Sequence, residues 1–333
     1  MRGSRKRKLG GSTERTRSTS GVRRLSGRGT IFGYIRQLCV SGIDSHLLAP
    51  LLLEAIGALM GADGADHGWE NERGSIGHGY AGNREMHALV PAHLELFGGS
   101  DLERVAFGID SETAVRAGLA SRKPDRHGPG DRRALSQLSP LLARALRAPG
   151  RMPEPLVETR DSAFLLADAR GHVVLTSETD LPLLLMLHDA AGEGTRADPC
   201  RLPAFLLPLV HSAARPSQAL PHTPPVAKQT TRWGRFECRA YATRRPDGRS
   251  AGLVVVHVRR YEPLSLRVLR NGWRAGLSER QREVCLHLAA GLSHSAIAKA
   301  MRIQQSTVID YVRKIYAKLD VANREALLQL LSK

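Results

Sequence analysis

The sequence contains few cysteines, few aromatic residues and fewer acidic than basic residues. Its four cysteines are scattered, and no two of them have the spacing of a zinc or redox site, so neither a disulfide scaffold nor a zinc-ligand set is expected. Because the chain has 49 Lys and Arg residues and only 32 Asp and Glu residues, its formal net charge is +17. Such a charge favours nucleic acid or anionic lipid as a partner, although an arginine-rich composition produces the same charge without one.

The chain also lacks a long apolar run and the short motifs of common enzymes. Its most apolar stretch, residues 47–60, contains Pro50 and Glu54 and is too short to span a bilayer. The basic start is followed by Gly, Ser and Thr rather than by the apolar segment of a signal peptide. No P-loop, nucleophile-elbow or dinucleotide-binding motif is present, and the histidines lack metal-ligand spacing. We therefore expect a cytoplasmic protein that is not an enzyme, with no catalytic residue, metal, cofactor or membrane partner.

The first 118 residues divide into a tail and a globular segment. Residues 1–30 contain ten Lys or Arg, one acid and almost no large apolar side chains, which predicts a disordered basic tail. Apolar residues at helical spacing then predict one or two amphipathic helices up to Met60, a glycine-rich turn between short strands over 64–80, and a helix over 86–97. This mixture over residues 31–118 resembles a GAF-like sensory domain in outline.

Residues 119–159 are predicted to be a linker that carries one helix. Five leucines over residues 132–148 form a helical stripe. The stripe fits a signalling or dimer helix and equally a helix docked on its own domain.

Residues 160–260 contain two predicted hairpins separated by a helix. Apolar runs flank the turn from Asp168 to Gly171, and two further strands flank Arg244 to Gly248. Between the hairpins, residues 181–191 are predicted to be helical. This order of elements, with its Asp-x-x-Gly turn, resembles a PAS domain, and residues 261–276 then form a connector.

The C-terminal residues 277–333 carry the signals of four short helices. Ser278 and Gln281 have the spacing of a capping box, and Gly291 has the position of a left-handed helix end. Ser293 is placed to cap a second helix and Asn323 to cap a fourth. The third helix is predicted over residues 305–319, where apolar residues recur at helical spacing. A short helix, a tight turn and a longer helix are typical of a helix-turn-helix.

The third helix has a polar outer face that suits contact with DNA. Gln, Ser and Arg side chains can exchange hydrogen bonds with base edges, and an Ile side chain can contact a thymine methyl group. The predicted base contacts are Gln305, Ser306, Ile309, Asp310 and Arg313. The predicted phosphate contacts are Thr307, Tyr311, Lys314 and Lys318.

Residues 277–327 resemble the LuxR-type helix-turn-helix family. The matching residues are Leu277-Ser278, Arg280, Arg282-Glu283-Val284, Leu288-Ala289, Gly291-Leu292-Ser293, Ile297-Ala298, Ile303, Thr307-Val308, Lys318-Leu319, Val321 and Arg324. The resemblance implies a four-helix domain whose third helix enters the major groove and whose fourth helix supports a dimer. The sequence departs from the family at Arg302, where many members have Gly in the turn, at Gln304, which replaces a Ser or Thr cap, and at Ile309, which replaces a frequent Lys.

The sequence as a whole therefore predicts a multidomain α+β protein, with GAF-like and PAS-like α/β segments followed by an all-α, four-helix LuxR-type domain. The expected function is that of a DNA-binding transcriptional regulator, controlled by a sensory region of unknown signal. Its candidate partners are double-stranded DNA, a small-molecule effector, RNA polymerase and a second copy of the chain. The alternative is a sensor that acts through protein–protein contacts, with the C-terminal helices as a docking module like the related sigma-factor region.

Overall fold

The computed structural model of the chain describes most of its residues. They are residues 28–60, 64–71, 74–82, 103–108, 113–120, 137–138, 140–142, 144–145, 150–177, 179–189, 198, 200–214 and 224–332. The predicted tail up to residue 27 and the predicted helix over 86–97 lie outside the described residues. Within the described part of the chain, no helix combines the length and the apolarity needed to cross a bilayer.

Two helices and a four-stranded antiparallel sheet form the first part of the fold. The order of the strands in the sheet is β2-β1-β4-β3. The elements are α1 (Arg28–Val40), α2 (Ser45–Met60), β1 (Gly64–Asn71), β2 (Gly74–Gly82), β3 (Glu103–Gly108) and β4 (Thr113–Ala120). One or two helices were predicted and the structure contains two, of which α1 begins three residues inside the predicted tail. The glycine-rich segment forms the β1–β2 hairpin, while β3 and β4 were not predicted.

A five-stranded antiparallel sheet follows, with two helices inserted between its second and third strands. The strand order is β6-β5-β9-β8-β7, so the first and last strands of the segment are neighbours. The elements are β5 (Leu156–Asp168), β6 (Val173–Leu175), α3 (Leu181–Asp189), α4 (Leu207–Ala214), β7 (Val226–Thr231), β8 (Gly234–Arg244) and β9 (Ser250–Pro263).

Both predicted hairpins are confirmed in this sheet. In the first, the Gly171 amide donates to the Asp168 carbonyl at 3.0 Å, and Gly171 has a φ of +81°. In the second, the Gly248 amide donates to the Arg245 carbonyl at 2.9 Å, and Gly248 has a φ of +82°. A positive φ is the conformation that glycine adopts at least cost. Strand β7 was missed because its sequence is largely polar and its residues are exposed or only half-buried.

One hydrophobic cluster joins α1 and α2 to the inner face of the five-stranded sheet. It contains Tyr34 and Leu38 from α1 together with Phe236 and Val256 from the sheet. The stripe over residues 132–148 also enters this cluster, because Leu138 and Leu142 are buried there. The burial of these two leucines fits a helix docked on its own domain, and the signalling or dimer helix stays a prediction.

The segment predicted to be a connector, residues 261–276, contains the end of a strand and then a helix that is buried on two sides. Strand β9 runs on to Pro263, and α5 (Leu264–Arg274) begins at the next residue. Leu266, Leu269 and Trp273 of α5 belong to the cluster under the sheet. Leu264 and Val268 instead belong to the core of the C-terminal helices. These last helices are α6 (Glu279–Ala289), α7 (His294–Met301), α8 (Gln305–Leu319) and α9 (Arg324–Ser332).

Candidate nucleic-acid interface

The predicted helix ends of the C-terminal domain are confirmed. The Ser278 hydroxyl accepts from the Gln281 amide at 3.3 Å, and the Gln281 side chain accepts from the Ser278 amide at 2.9 Å. Ser293 accepts from the Ala296 amide at the start of α7, and Gly291 is left-handed after α6. Asn323 accepts from the Ala326 amide at 2.8 Å at the start of α9. These bonds satisfy amides that have no partner inside their own helices.

The turn between α7 and α8 shows the effect of two departures from the family pattern. Arg302 occupies the left-handed region with a φ of 54° and a ψ of 46°, where a side chain costs free energy that glycine avoids. Gln304 has the extended backbone of a helix cap but makes no side-chain bond to an α8 amide. The turn is therefore formed without the glycine and the Ser or Thr cap that many family members have there.

Helix α8 is divided cleanly between a buried face and an exposed one. Val308, Val312 and Ile315 are buried in the core of the four helices. The predicted stripe is confirmed for these three residues, while Leu319 at its end is half-buried. All five predicted base contacts are exposed: Gln305, Ser306, Ile309, Asp310 and Arg313.

One ion pair lies within this exposed face. The Arg313 guanidinium is 3.6 Å from the Asp310 carboxylate, and the two side chains remain 77% and 59% exposed. A pair this exposed contributes little free energy, so either side chain can leave it for another partner at small cost. Ile309, which is 38% exposed, gives the same face one apolar contact point.

The four predicted phosphate contacts have different surroundings. Thr307 and Tyr311 are half-buried, and Lys314 is exposed. The Lys318 ammonium donates to the carbonyl of Gly276 at 2.6 Å, so it is bound to the segment between α5 and α6. Lys318 therefore has a structural partner that the sequence did not indicate.

Two arginines of the family pattern bind backbone carbonyl groups within their own domain. The Arg324 guanidinium donates to the carbonyl of Leu288 at the end of α6. Arg282 is fully buried, and its guanidinium donates to the Leu277 carbonyl at 2.5 Å. Burial lowers the pKa of the Arg282 guanidinium to about 10. Their spacing matched the family, but spacing alone did not indicate what they contact.

A buried charge network ties the domain to the five-stranded sheet. Glu262, at the end of β9, binds the guanidinium groups of Arg267 and Arg270 on α5. Arg267 also donates to the Glu158 carbonyl on β5 and to the Ser332 carbonyl on α9, at 3.1 Å each. Burial alone would raise the pKa of the Glu262 carboxyl, but the surrounding guanidinium groups hold it below its usual range.

Comparison with solved structures gives weak likenesses only. The chain is similar to a structure described as VqmA bound to DPO, at 15% identity over 51% of this chain and 80% of that one, with a TM-score of 0.21. A Vibrio cholerae VqmA dimer without target DNA gives the same identity and TM-score, over 51% and 81% of the two chains. The sensor region of a sensor histidine kinase is 13% identical over 64% and 91%, again with a TM-score of 0.21. No curated protein matches the sequence.

The comparison with protein families gives a match at the C-terminal end. The matching family is described as bacterial regulatory proteins of the luxR family, and the match covers residues 275–331. It spans all four helices from α6 to α9 and includes the exposed face of α8. Residues 275–331 therefore form a helix-turn-helix domain of the luxR family of bacterial regulatory proteins.

Proposed function

We propose that the protein is a sequence-specific DNA-binding transcriptional regulator. The observation that carries the proposal is the division of α8, whose apolar face is buried while its predicted base contacts are all exposed. A helix with this division can enter the major groove without uncovering its own core. The luxR-family match over the same helices agrees with this role.

Within this proposal, the outer face of α8 supplies the sequence preference. Arg313 follows Gln305 by eight residues and Ile309 by four, so the three side chains share one side of the helix. Arg suits the two acceptors of guanine, Gln suits adenine, and Ile suits the thymine methyl group. Lys314 lies about a hundred degrees further round the helix, towards the phosphate backbone.

We further propose that the protein binds DNA as a homodimer through α9. Leu327 and Leu331 of α9 are buried in the core, whereas Leu330 is 42% exposed and offers an apolar contact to a second copy. Near residue 140, Leu138 and Leu142 are buried in the protein's own core, so these two side chains are not available to a second copy. A dimer of this kind would contact two half-sites about one helical turn apart.

The remaining part of the chain is proposed to be the sensory region. The order of hairpin, helices and hairpin supports the PAS-like segment proposed for residues 160–260, and residues 31–118 are proposed as a GAF-like one. A small-molecule effector and RNA polymerase remain proposed partners.

The experiment that tests the function is selection of genomic DNA. Purified full-length protein is mixed with sheared genomic fragments, and the retained fragments are sequenced. A shared sequence element among them is expected, and its affinity should fall steeply with salt because phosphate contacts release counterions. The matched control is the Gln305→Ala, Arg313→Ala double variant, which should lose the shared element but still retain DNA. Retained fragments without any enriched sequence element would contradict the proposal and favour the docking alternative.

A further inference from the structure

Helix α1 lies across the joint between the sensory region and the DNA-binding domain. Arg36 forms an ion pair with Glu279 of α6 at 3.0 Å. Gln37 donates to the Glu279 carbonyl at 2.8 Å and accepts from the Arg282 guanidinium at 2.7 Å. Helix α1 is thus bound to the first turn of α6, although about 240 residues separate them in the sequence.

An aromatic stack lies beneath these polar contacts. The Tyr34 ring of α1 stacks on the Trp273 ring of α5, with centroids 4.5 Å apart and planes 8° apart. The Arg282 guanidinium lies 5.5 Å from the centre of the Tyr34 ring. One residue from each of three helices therefore meets in a single buried cluster, which we call the α1 junction.

The α1 junction buries polar atoms that have no hydrogen-bond partner. Among the described residues, these atoms are the Tyr34 hydroxyl, the Trp273 indole nitrogen and one terminal nitrogen of Arg282. All three would regain hydrogen bonds with water if α1 moved away. Among the residues that the structure describes, the fully buried Arg282 forms no ion pair with a carboxylate, whereas Arg267 is paired with Glu262. The contact through α1 is therefore the weaker of the two attachments of the domain.

We propose that α1 is a releasable latch, which holds the DNA-binding domain against the sensory region and lowers its affinity for the operator. This inference rests on the proposed function. With α1 docked, the position of α8 is set by the sensory region through both α1 and α5. A dimer must place two recognition helices at the spacing that the operator imposes. A domain held through α5 alone can adjust to that spacing, and a domain held on two sides cannot do so without strain.

The geometry of α1 allows the latch to be locked. A Cβ atom placed on Gly33 would lie 3.5 Å from the Cβ of Glu279, within the range of about 3.5–4.5 Å that a disulfide requires. The double variant Gly33→Cys, Glu279→Cys should therefore form this bond on oxidation. It is made with Cys200→Ser, which removes an exposed thiol. The thiol of Cys39 is half-buried and its pKa is raised to about 11, so it competes poorly.

The test compares operator affinity of the oxidised and reduced full-length variant. The oxidised form should bind the selected operator about tenfold more weakly, a coupling in the usual allosteric range, and reductant should restore binding. Because coupling is reciprocal at equilibrium, saturating operator DNA should shift the thiol–disulfide equilibrium of the pair towards the dithiol by a similar factor, measured in a glutathione redox buffer. Equal affinities of the two forms, or tighter binding by the oxidised form, would overturn the latch. Failure of the reduced form to bind any DNA would instead refute the proposed function.

A second variant tests release without a covalent bond. Arg36→Ala with Gln37→Ala removes the polar contacts of α1 with α6 and should raise operator affinity several-fold. The matched control is Arg274→Ala, which breaks the ion pair between α5 and Glu54 of α2 and leaves the α6 contact intact. The control should bind operator as the unaltered protein does. An equal change in both variants would show a general loss of packing and would contradict the latch.

Discussion

Removal of the Arg267 guanidinium tests whether the buried charge network holds the two halves of the protein together. Arg267 is 2% exposed and is bound to Glu262, which is equally buried. Arg267→Met keeps most of the side-chain volume and leaves a carboxylate inside the protein with one partner fewer. Loss of one partner from a buried pair costs about 3–5 kcal/mol. Arg270 still contacts both Glu262 oxygens, at 2.5 and 3.3 Å, so we expect the lower end, about 3 kcal/mol.

The measurement is urea unfolding at neutral pH, followed by circular dichroism, with Arg270→Met as the control. Arg270 binds the same carboxylate, but its side chain is 20% exposed, so water can take its place beside the carboxylate and its loss should cost less than that of Arg267. The Arg267→Met midpoint should therefore fall well below that of Arg270→Met. Equal midpoints for the two variants would refute the assignment of Arg267 as the central member of the network.

Three further predictions concern the DNA-binding domain. Arg313→Ala should lower the binding free energy for the operator by about 1–3 kcal/mol and relax the preference at one base pair. Lys314→Ala should weaken binding to all DNA sequences about equally. Both variants are titrated against operators with single-base changes, and the same response from both would contradict the assignment. Arg302→Gly should raise the free energy of unfolding by about 1 kcal/mol, because it relieves a left-handed arginine, and a lower melting temperature would contradict the strain. Gln304→Ser should add about 1 kcal/mol through a new helix cap, also measured by thermal unfolding.

The C-terminal helices were predictable because their signals are local. Ser278, Gln281, Ser293 and Asn323 each bond to an amide three residues away, so the sequence spacing already contains the contact. The exposure of the α8 outer face followed from the period of its apolar residues for the same reason. Which bases that face contacts stays a prediction.

The junctions were not predictable because their partners are far apart in the sequence. Helix α5 buries apolar residues against two different cores, and the spacing of those residues does not indicate which core each of them joins. The stack of Tyr34 on Trp273 and the bond of Lys318 to Gly276 depend on tertiary structure, which periodicity does not contain. The GAF-like and PAS-like assignments stay predictions.

The sharing of α5 between two cores limits how the DNA-binding domain can be transplanted. The family match begins at residue 275, but the core of the four helices also contains Leu264 and Val268. A fusion cut at residue 275 would leave their places in that core empty, at a cost of several kcal/mol for two large aliphatic side chains. A chimaera that begins at Pro263 would carry α5 along and expose the side of that helix which bears Leu266, Leu269 and Trp273. The segment that must be transferred for this domain to keep its core is therefore longer than the segment that matches the family.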